Sequence, residues 1–164
     1  LFYQFKTTDP WQIKLIVSKD GGETFSAPLH VASIEKPVLR KPGAGFWGVL
    51  GIGLWAVERQ LDGQTIGHVG FFDFQRDMQP SIAGEPEMGW IFSAKAQGSG
   101  FASEAGRAAL EWFDAHVGPM SVPAIIDLEN VPSMRLAERL GLERQAYATY
   151  RGEQIGFFRR PTRG

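Results

Sequence analysis

The chain has 164 residues, 43% of them hydrophobic, with 17 basic against 18 acidic side chains and no cysteine. A chain of this length can bury roughly two-thirds of the surface it exposes when unfolded, so we expect a single domain over residues 1–164. The absence of cysteine excludes disulfides, thiolate metal sites and a cysteine nucleophile. The near-neutral net charge argues against DNA or an acidic lipid surface as the main partner.

Other function classes are disfavoured by single features of the sequence. The three histidines are too few and too scattered for a zinc cluster, so no metal site is predicted. Apolar stretches such as residues 46–57 are short and interrupted by glycine, which predicts no membrane span. The sequence shows no charged region followed by a long apolar run, so we expect no secretory signal and a cytoplasmic location.

The first quarter of the chain carries the weakest patterns. Residues 1–6 are apolar and aromatic and predict a first strand. Residues 11–18 fit one or two helical turns, and residues 26–40 predict a second helix although Pro37 lies within it.

From residue 51 onward the patterns are clearer. Alternating residues on both sides of the Asp62-Gly63 turn predict a β-hairpin, in which Phe71, Phe72 and Phe74 follow one another. Most of these three rings are expected in the core, with Phe72 the candidate to line a cleft. Residues 75–86 contain two prolines and predict a loop, and residues 87–92 predict a further strand.

The remaining segments predict two helices and three strands. Helical spacing extends over residues 101–116 and ends at Gly118-Pro119. Residues 122–128 predict a strand, residues 133–140 a helix, and residues 143–150 and 154–160 a closing hairpin. The predicted fold is α/β (α+β): a mixed sheet of about six or seven strands flanked by about four helices.

Glycine is enriched, at 20 of 164 residues, against a usual share of about 7%. Two glycines, Gly98 and Gly100, precede the helix predicted over residues 101–116. They allow backbone N–H groups to approach a ligand closely, and the start of the helix adds unpaired donors and a positive dipole end. This segment therefore predicts either an anion-binding loop or a simple glycine-rich helix cap.

A second glycine pattern leads to a different prediction. Gly51, Gly53 and Ala56 match the dinucleotide fingerprint G-x-G-x-x-A, and Asp73 lies 20 residues beyond Gly53. That fingerprint requires a helix that begins at the glycines, whereas residues 54–58 alternate like a strand. We therefore reject a nucleotide site here.

The segment from Asn130 forms a polar entry to the helix of residues 133–140. Asn130 or Ser133 can cap that helix, and Pro132 suits its first turn. Taken alone, this segment needs no ligand.

The two helix starts together resemble the GNAT superfamily of acetyl-CoA-dependent N-acyltransferases. Gln97, Gly100 and Ala102 fit its phosphate loop, Gln/Arg-x-x-Gly-x-Gly/Ala. Its second signature, Asn-x-x-Ser/Ala before a helix ending in Leu-Gly-Phe, is matched by Asn130, Ser133, Leu140 and Gly141, with Leu142 in place of phenylalanine. More narrowly, the segments Glu87-Met88-Gly89-Trp90 and Arg135-Leu136-Ala137-Glu138 resemble the RimJ/RimL-type branch.

The resemblance implies a GNAT fold with a mostly antiparallel sheet and acetyl-CoA as acyl donor. The pyrophosphate would lie on the glycine loop, and the pantetheine arm would pair with the strand of residues 87–92. The implied acetyl-CoA contacts are Ile91, Phe92, Ser93, Gln97, Gly98, Ser99, Gly100, Phe101, Ala102, Asn130 and Ser133.

The implied reaction is direct attack of a neutral amine on the thioester in a ternary complex. This needs a base for the amine, an N–H donor for the oxyanion and a proton or hydrogen bond for the departing thiolate. Glu87 is the first candidate for the base, with Asp127 and Glu129 as rivals. Many family members use a tyrosine as the acid, but the matching position in this chain is Ala137. The remaining candidates for a hydrogen bond to the sulfur are Ser133 and, if the closing hairpin folds over the cleft, Tyr147 or Tyr150.

Two functions follow as hypotheses. The first is an N-acetyltransferase acting on a protein N-terminus or a small-molecule amine. The alternative is an acetyl-CoA-binding module without turnover. The sequence allows a homodimer but does not determine the oligomeric state or the acceptor.

Overall fold

The computed structural model describes residues 50–162 in full and four earlier segments as backbone strands. These four strands are β1 (Phe2–Phe5), β2 (Gln12–Ser18), β3 (Leu29–Ser33) and β4 (Val38–Arg40).

The later segment alternates strands with two α-helices. Its elements are β5 (Leu54–Glu58), β6 (Thr65–Phe72), β7 (Met78–Gln79), β8 (Glu87–Phe92), α1 (Phe101–His116), β9 (Val122–Ile126), α2 (Val131–Arg139), β10 (Glu143–Arg144), β11 (Ala148–Tyr150) and β12 (Glu153–Arg160). A short 3-10 turn, Ala94–Ala96, joins β8 to the glycine loop.

The helices predicted over residues 11–18 and 26–40 are wrong. The structure has strand β2 in the first segment and strands β3 and β4 in the second. Residues 12–18 are rich in isoleucine and valine, whose branched side chains favour a pleated strand over a helix. Pro37, which opposes a continuous helix, lies between β3 and β4. Within residues 51–162 the structure has two α-helices, α1 and α2, and Leu50, directly before this range, is also helical.

Most later predictions are confirmed. Strand β8 and helix α1 have the predicted bounds, and β5 pairs antiparallel with β6. Because β5 begins directly after Gly53, the structure supports rejection of the dinucleotide fingerprint. The loop predicted over residues 75–86 also contains the short strand β7, which pairs with β11.

The strands form two sheets. The first has the order β3-β2-β1-β4-β5-β6-β8, so β8 is its terminal strand. The second has the order β10-β12-β11-β7, and β9 pairs antiparallel with β12. The pairings for which a register is known are all antiparallel, as the resemblance implies.

Two glycines allow β6 and β8 to lie close together. A Cβ atom on Gly67 would lie 2.5 Å from the carbonyl oxygen of Ile91 and from the Phe92 ring. A Cβ on Gly89 would lie 2.6 Å from the ring of Phe72. Side chains at either glycine would therefore collide with the neighbouring strand, and the two sets of contacts show that β6 and β8 run in opposite directions.

The chain divides into two compact units. The first comprises Leu1–Gly70 and Trp90–Gly106, and the second comprises Phe71–Gly89 and Arg107–Gly164. The first unit fully buries Trp55, Val57 and Val69. In the second, the Phe71 and Phe113 rings lie 4.4 Å apart between centroids, and a further cluster packs Met78, Ile82, Ala148 and Phe157. No helix in the part of the chain that the structure describes is long and apolar enough to cross a membrane.

Candidate active site

The outer edge of β8 belongs to the first compact unit from Trp90 onward. Since β8 is the terminal strand of its sheet, this edge has no strand partner among the described residues. The side chain of Ile91 is 68% exposed. An unpaired strand edge offers a row of N–H and C=O groups to an extended ligand.

The pairing of β8 with β6 determines which backbone groups face that open edge. The N–H of Ser93 donates to the carbonyl oxygen of Ile66 at 2.9 Å, and the Ser93 carbonyl accepts from Ala96. Because backbone groups alternate along an antiparallel strand, those of Phe92 face the open edge. Both backbone groups of Ser93 already form hydrogen bonds within the protein. Ser93 would therefore contact a ligand through its side-chain hydroxyl group.

The glycine loop follows in the same unit. Gly98 and Gly100 have left-handed φ angles of +79° and +84°, and a Cβ at either position would meet nothing within 4 Å. The carbonyl of Gly100 accepts the first helical hydrogen bond of α1, from the N–H of Glu104 at 3.1 Å. Gly100 is therefore the residue directly before α1, and the loop in front of the helix dipole is open.

The start of α2 lies in the second unit. The Asn130 side-chain oxygen accepts from the N–H of Ser133 at 3.1 Å, and Pro132 occupies the first turn. Asn130 therefore caps the helix, as the sequence allowed. Its amide nitrogen, which is not part of this bond, remains a donor.

Glu87 lies at the start of β8 in the second unit and is buried. Its side chain is 4% exposed and its Oε2 accepts from Nε of Arg76 at 2.6 Å. Nη1 of Arg76 donates to the Tyr150 hydroxyl at 3.1 Å. The structure thus joins Glu87 and Tyr150 through Arg76, a residue that sequence reasoning missed.

Burial raises the pKa of Glu87, and the negative charge of Asp73 adds to this effect, while the hydrogen bond and positive charge of Arg76 oppose it. The net direction is upward from the ordinary value of 4.5. A carboxylate with a raised pKa is a stronger base than an exposed glutamate, which suits proton abstraction.

The rival groups have different surroundings. Asp127 accepts from the N–H of Glu129 at 2.7 Å within the turn before α2, and both residues are exposed. Ala137 is fully buried in α2, whereas Tyr147 is 58% exposed. Tyr150 is therefore the tyrosine that the structure brings into the Glu87 network.

No sequence signal identified Arg76. It lies in an irregular loop 11 residues before Glu87 and 74 before Tyr150. The pairing of Tyr150 with Met78 across β11 and β7 brings these distant residues together. Such a contact depends on strand pairing, which local periodicity does not reveal.

Comparison with known proteins assigns the family. Residues 31–143 match the model of the acetyltransferase (GNAT) domain. A solved structure from Bordetella pertussis, assigned to the GNAT-family acetyltransferases, is 32% identical, covers 71% of this chain and 70% of that one, and has a TM-score of 0.66. The chain therefore belongs to the GNAT acetyltransferase family, as its motifs predict.

Two further relatives differ in how closely they match. The uncharacterized N-acetyltransferase YnaD of Bacillus subtilis (strain 168) is 32% identical over 82 residues, which are 50% of this chain and 45% of that protein. The chain spans about half the length of the curated relatives it matches. The aminoglycoside acetyltransferase AAC(6')-Ib, solved with paromomycin and acetyl-CoA, is 17% identical, covers 71% of this chain and 68% of that one, and shares the fold with a TM-score of 0.57.

Proposed function

We propose that the protein is an acetyl-CoA-dependent N-acetyltransferase that transfers the acetyl group directly to a primary amine within one GNAT domain. One arrangement in the first unit carries this proposal: the open edge of β8 leads into a loop with two left-handed glycines at the start of α1. An extended amide-containing arm followed by a pyrophosphate matches this order of backbone groups.

The described residues fit acetyl-CoA, which would supply a thioester-bound acetyl group. The backbone of Phe92 would pair with the pantetheine arm, and the segment from Gln97 to Ala102 would hold the pyrophosphate. The open space around Gly98 and Gly100 supports this role, because side chains there would occupy the loop. Asn130 would donate its free amide N–H to a pantetheine carbonyl, with Ser133 near the sulfur.

The catalytic roles are distributed over few side chains. Glu87 would accept the proton of the attacking ammonium group, and an outward N–H of β8 would stabilise the oxyanion. Ser133 or the Tyr150 hydroxyl would provide a hydrogen bond to the departing thiolate. The acceptor would be a protein or peptide N-terminus, which the RimJ/RimL-type motifs favour, or a small-molecule amine.

The second candidate is an acetyl-CoA-binding module without turnover. It is favoured by the buried Ala137 in place of a tyrosine and by the ion pair that engages Glu87. Thiol release from acetyl-CoA, followed with a thiol reagent across amines and N-terminal peptides, separates the two. We expect acceptor-dependent release; cofactor binding without any such release would instead identify the module.

Replacing Asn130 with aspartate is expected to separate capping from cofactor binding. Aspartate caps a helix as well as asparagine, so the melting temperature should stay within about 2 °C of the wild type. It has no amide N–H donor, so the affinity for acetyl-CoA should fall about fivefold to tenfold in calorimetry. Asn130→Ala should lose both properties, and unchanged affinity in Asn130→Asp would restrict Asn130 to its capping role.

A further inference from the structure

A pocket of the second unit lies beside the network of Glu87, Arg76 and Tyr150. It is an open cavity of about 580 Å³ lined by Phe74, Gln75, Arg76, Asp77, Tyr150 and Arg151. Cavities of about 300–1,000 Å³ accommodate small molecules or a few residues of a peptide. Arg76, which also holds Glu87, forms one of its walls.

Both walls of this pocket are held in place. Asp73 accepts hydrogen bonds from the N–H groups of Gln75 at 3.0 Å and Gly84 at 3.1 Å, which fixes the loop that carries Phe74 and Arg76. The pairing of β7 with β11 connects that loop to Tyr150. The cavity is therefore preformed rather than a gap between two mobile segments.

One of the two cations of the pocket has no ion-pair partner among the described residues. The guanidinium carbons of Arg76 and Arg151 each lie 5.1 Å from the centroid of the Tyr150 ring. Arg76 is neutralised by Glu87, but no carboxylate within the described residues forms an ion pair with Arg151. The positive charge of Arg151 therefore remains available to an anion, for which guanidinium has the matching bidentate geometry.

Two wall residues have an unusual backbone conformation. Gln75 and Arg151 have left-handed φ angles of 49° and 54°, and they are the non-glycine residues with positive φ in the part of the chain that is described. Both line the cavity. Arg151 and Gly152 form the two-residue turn between β11 and β12, which requires positive φ at both positions and fixes the direction in which the Arg151 backbone enters the wall.

The other residues that line the cavity indicate which chemical groups the rest of the ligand should carry. The ring of Phe74 is 48% exposed and offers an apolar surface, whereas Phe72, the ring expected in a cleft, is buried. Asp77 is exposed and carries the opposing charge of the cavity. Its negative charge opposes an anion at Arg151, so selection of an anion depends on the directional hydrogen bonds of the guanidinium group.

We propose that this pocket selects amine acceptors that carry an anionic group, bound by Arg151 while an aliphatic segment lies against Phe74 and Tyr150. This inference rests on the proposed acetyltransferase function and names its acceptor class. A carboxylate of a small amine and an acidic side chain of a peptide present the same chemistry. The test therefore contains one pair of probes for each source.

The first pair of probes is ε-aminocaproate and its amide. The second is a tetrapeptide amide with N-terminal alanine and glutamate at its third position, and its glutamine counterpart. Within at least one pair, we expect kcat/KM from thiol release to be about tenfold higher for the carboxylate. The preferred pair identifies the source, and the preference should decline as salt concentration rises.

Arg151→Asn removes the charge with a residue that tolerates the left-handed conformation. We expect it to abolish the preference for the carboxylate, and Asp77→Asn to increase that preference. Arg144→Asn is the matched control, because Arg144 lies 5.3 Å from the Tyr147 ring but does not line the cavity. It should leave the preference unchanged.

Calorimetry with the same probes distinguishes failure of the pocket inference from failure of the proposed acetyltransferase function. Thiol release without preference for the carboxylate in either pair, or a preference that survives in Arg151→Asn, would overturn the pocket inference and leave the acetyltransferase function intact. Arg151-dependent binding of a carboxylate probe without thiol release would overturn turnover and retain the pocket as a binding site. If the carboxylate probes neither bind nor release thiol, the pocket inference is overturned, and the panel of amines and N-terminal peptides decides separately whether the protein turns over acetyl-CoA.

Discussion

Replacing Gly100 with valine is expected to weaken acetyl-CoA binding at least tenfold, equivalent to about 1.4 kcal/mol. Gly100 has a φ angle of +84° at the start of α1. A β-branched residue is strained in this conformation by about 1–2 kcal/mol, and its side chain would project into the open loop that we assign to the pyrophosphate. The loop would either lose its shape or place methyl groups where phosphate oxygens should lie.

Backbone strain alone has to be distinguished from obstruction of the site. Gly63 lies in the hairpin turn between β5 and β6 with a φ of +69°, and a Cβ there also meets nothing within 4 Å. Gly63→Val should therefore cost similar stability without changing cofactor affinity. Calorimetric titration with acetyl-CoA, accompanied by thermal unfolding of both variants, makes the comparison. Equal affinities of Gly100→Val and the wild type would contradict the assignment of the loop.

Those parts of the fold that depend on local periodicity could be predicted from sequence. Helix α1 repeats its apolar residues at helical spacing and ends before Gly118, so both its ends were predictable. The glycine loop was found for the same reason, because its residues are contiguous. Segments whose structure depends on pairing with distant strands were harder. Strand β2 reads as a short helix when taken alone, but it pairs with β1 and β3.

The same distinction between local patterns and long-range strand pairing applies to the candidate site. Asn130, Ser133 and the residues of the loop are neighbours in sequence and carry recognisable motifs. The surroundings of Glu87 could not be predicted, because Arg76 and Tyr150 reach it through the pairing of β7 with β11. Sequence therefore located the motifs that we propose to bind acetyl-CoA, whereas the groups around the proposed base and the proposed acceptor pocket required the structure.

Glu87→Gln is expected to lower kcat about 100-fold if Glu87 is the general base. The loss should be largest between the raised pKa of Glu87 and the pKa of the acceptor amine, about 8 for an α-amino group. In that range the amine is protonated and the carboxylate is ionised, so the base is both needed and available. Above it, the amine is already neutral and the difference from the wild type should shrink.

A matched control is available two residues away. Glu85 forms an ion pair with Arg159 in the same unit, and its side chain is 32% exposed. Glu85→Gln removes a comparable Arg–Glu pair without touching Glu87. We expect it to affect stability slightly and to leave the pH dependence of kcat unchanged. A similar loss of activity in both variants would indicate damage to the fold rather than removal of a base.

Arg76→Gln tests whether Arg76 sets the pKa of Glu87 or only stabilises the fold. Burial raises the pKa of Glu87 and Arg76 lowers it, so removing Arg76 should raise that pKa further and move the acidic limb of the rate profile to higher pH. The raised pKa of Glu87 also predicts how the free energy of unfolding depends on pH.

A carboxyl group with a raised pKa contributes stability that is present below its ordinary value of 4.5 and is lost as pH rises through the folded-state value. In urea unfolding, the free energy of unfolding should therefore fall more steeply with rising pH in Arg76→Gln than in Glu87→Gln. A rate profile that stays in place in both variants would assign proton removal to water or to another carboxylate.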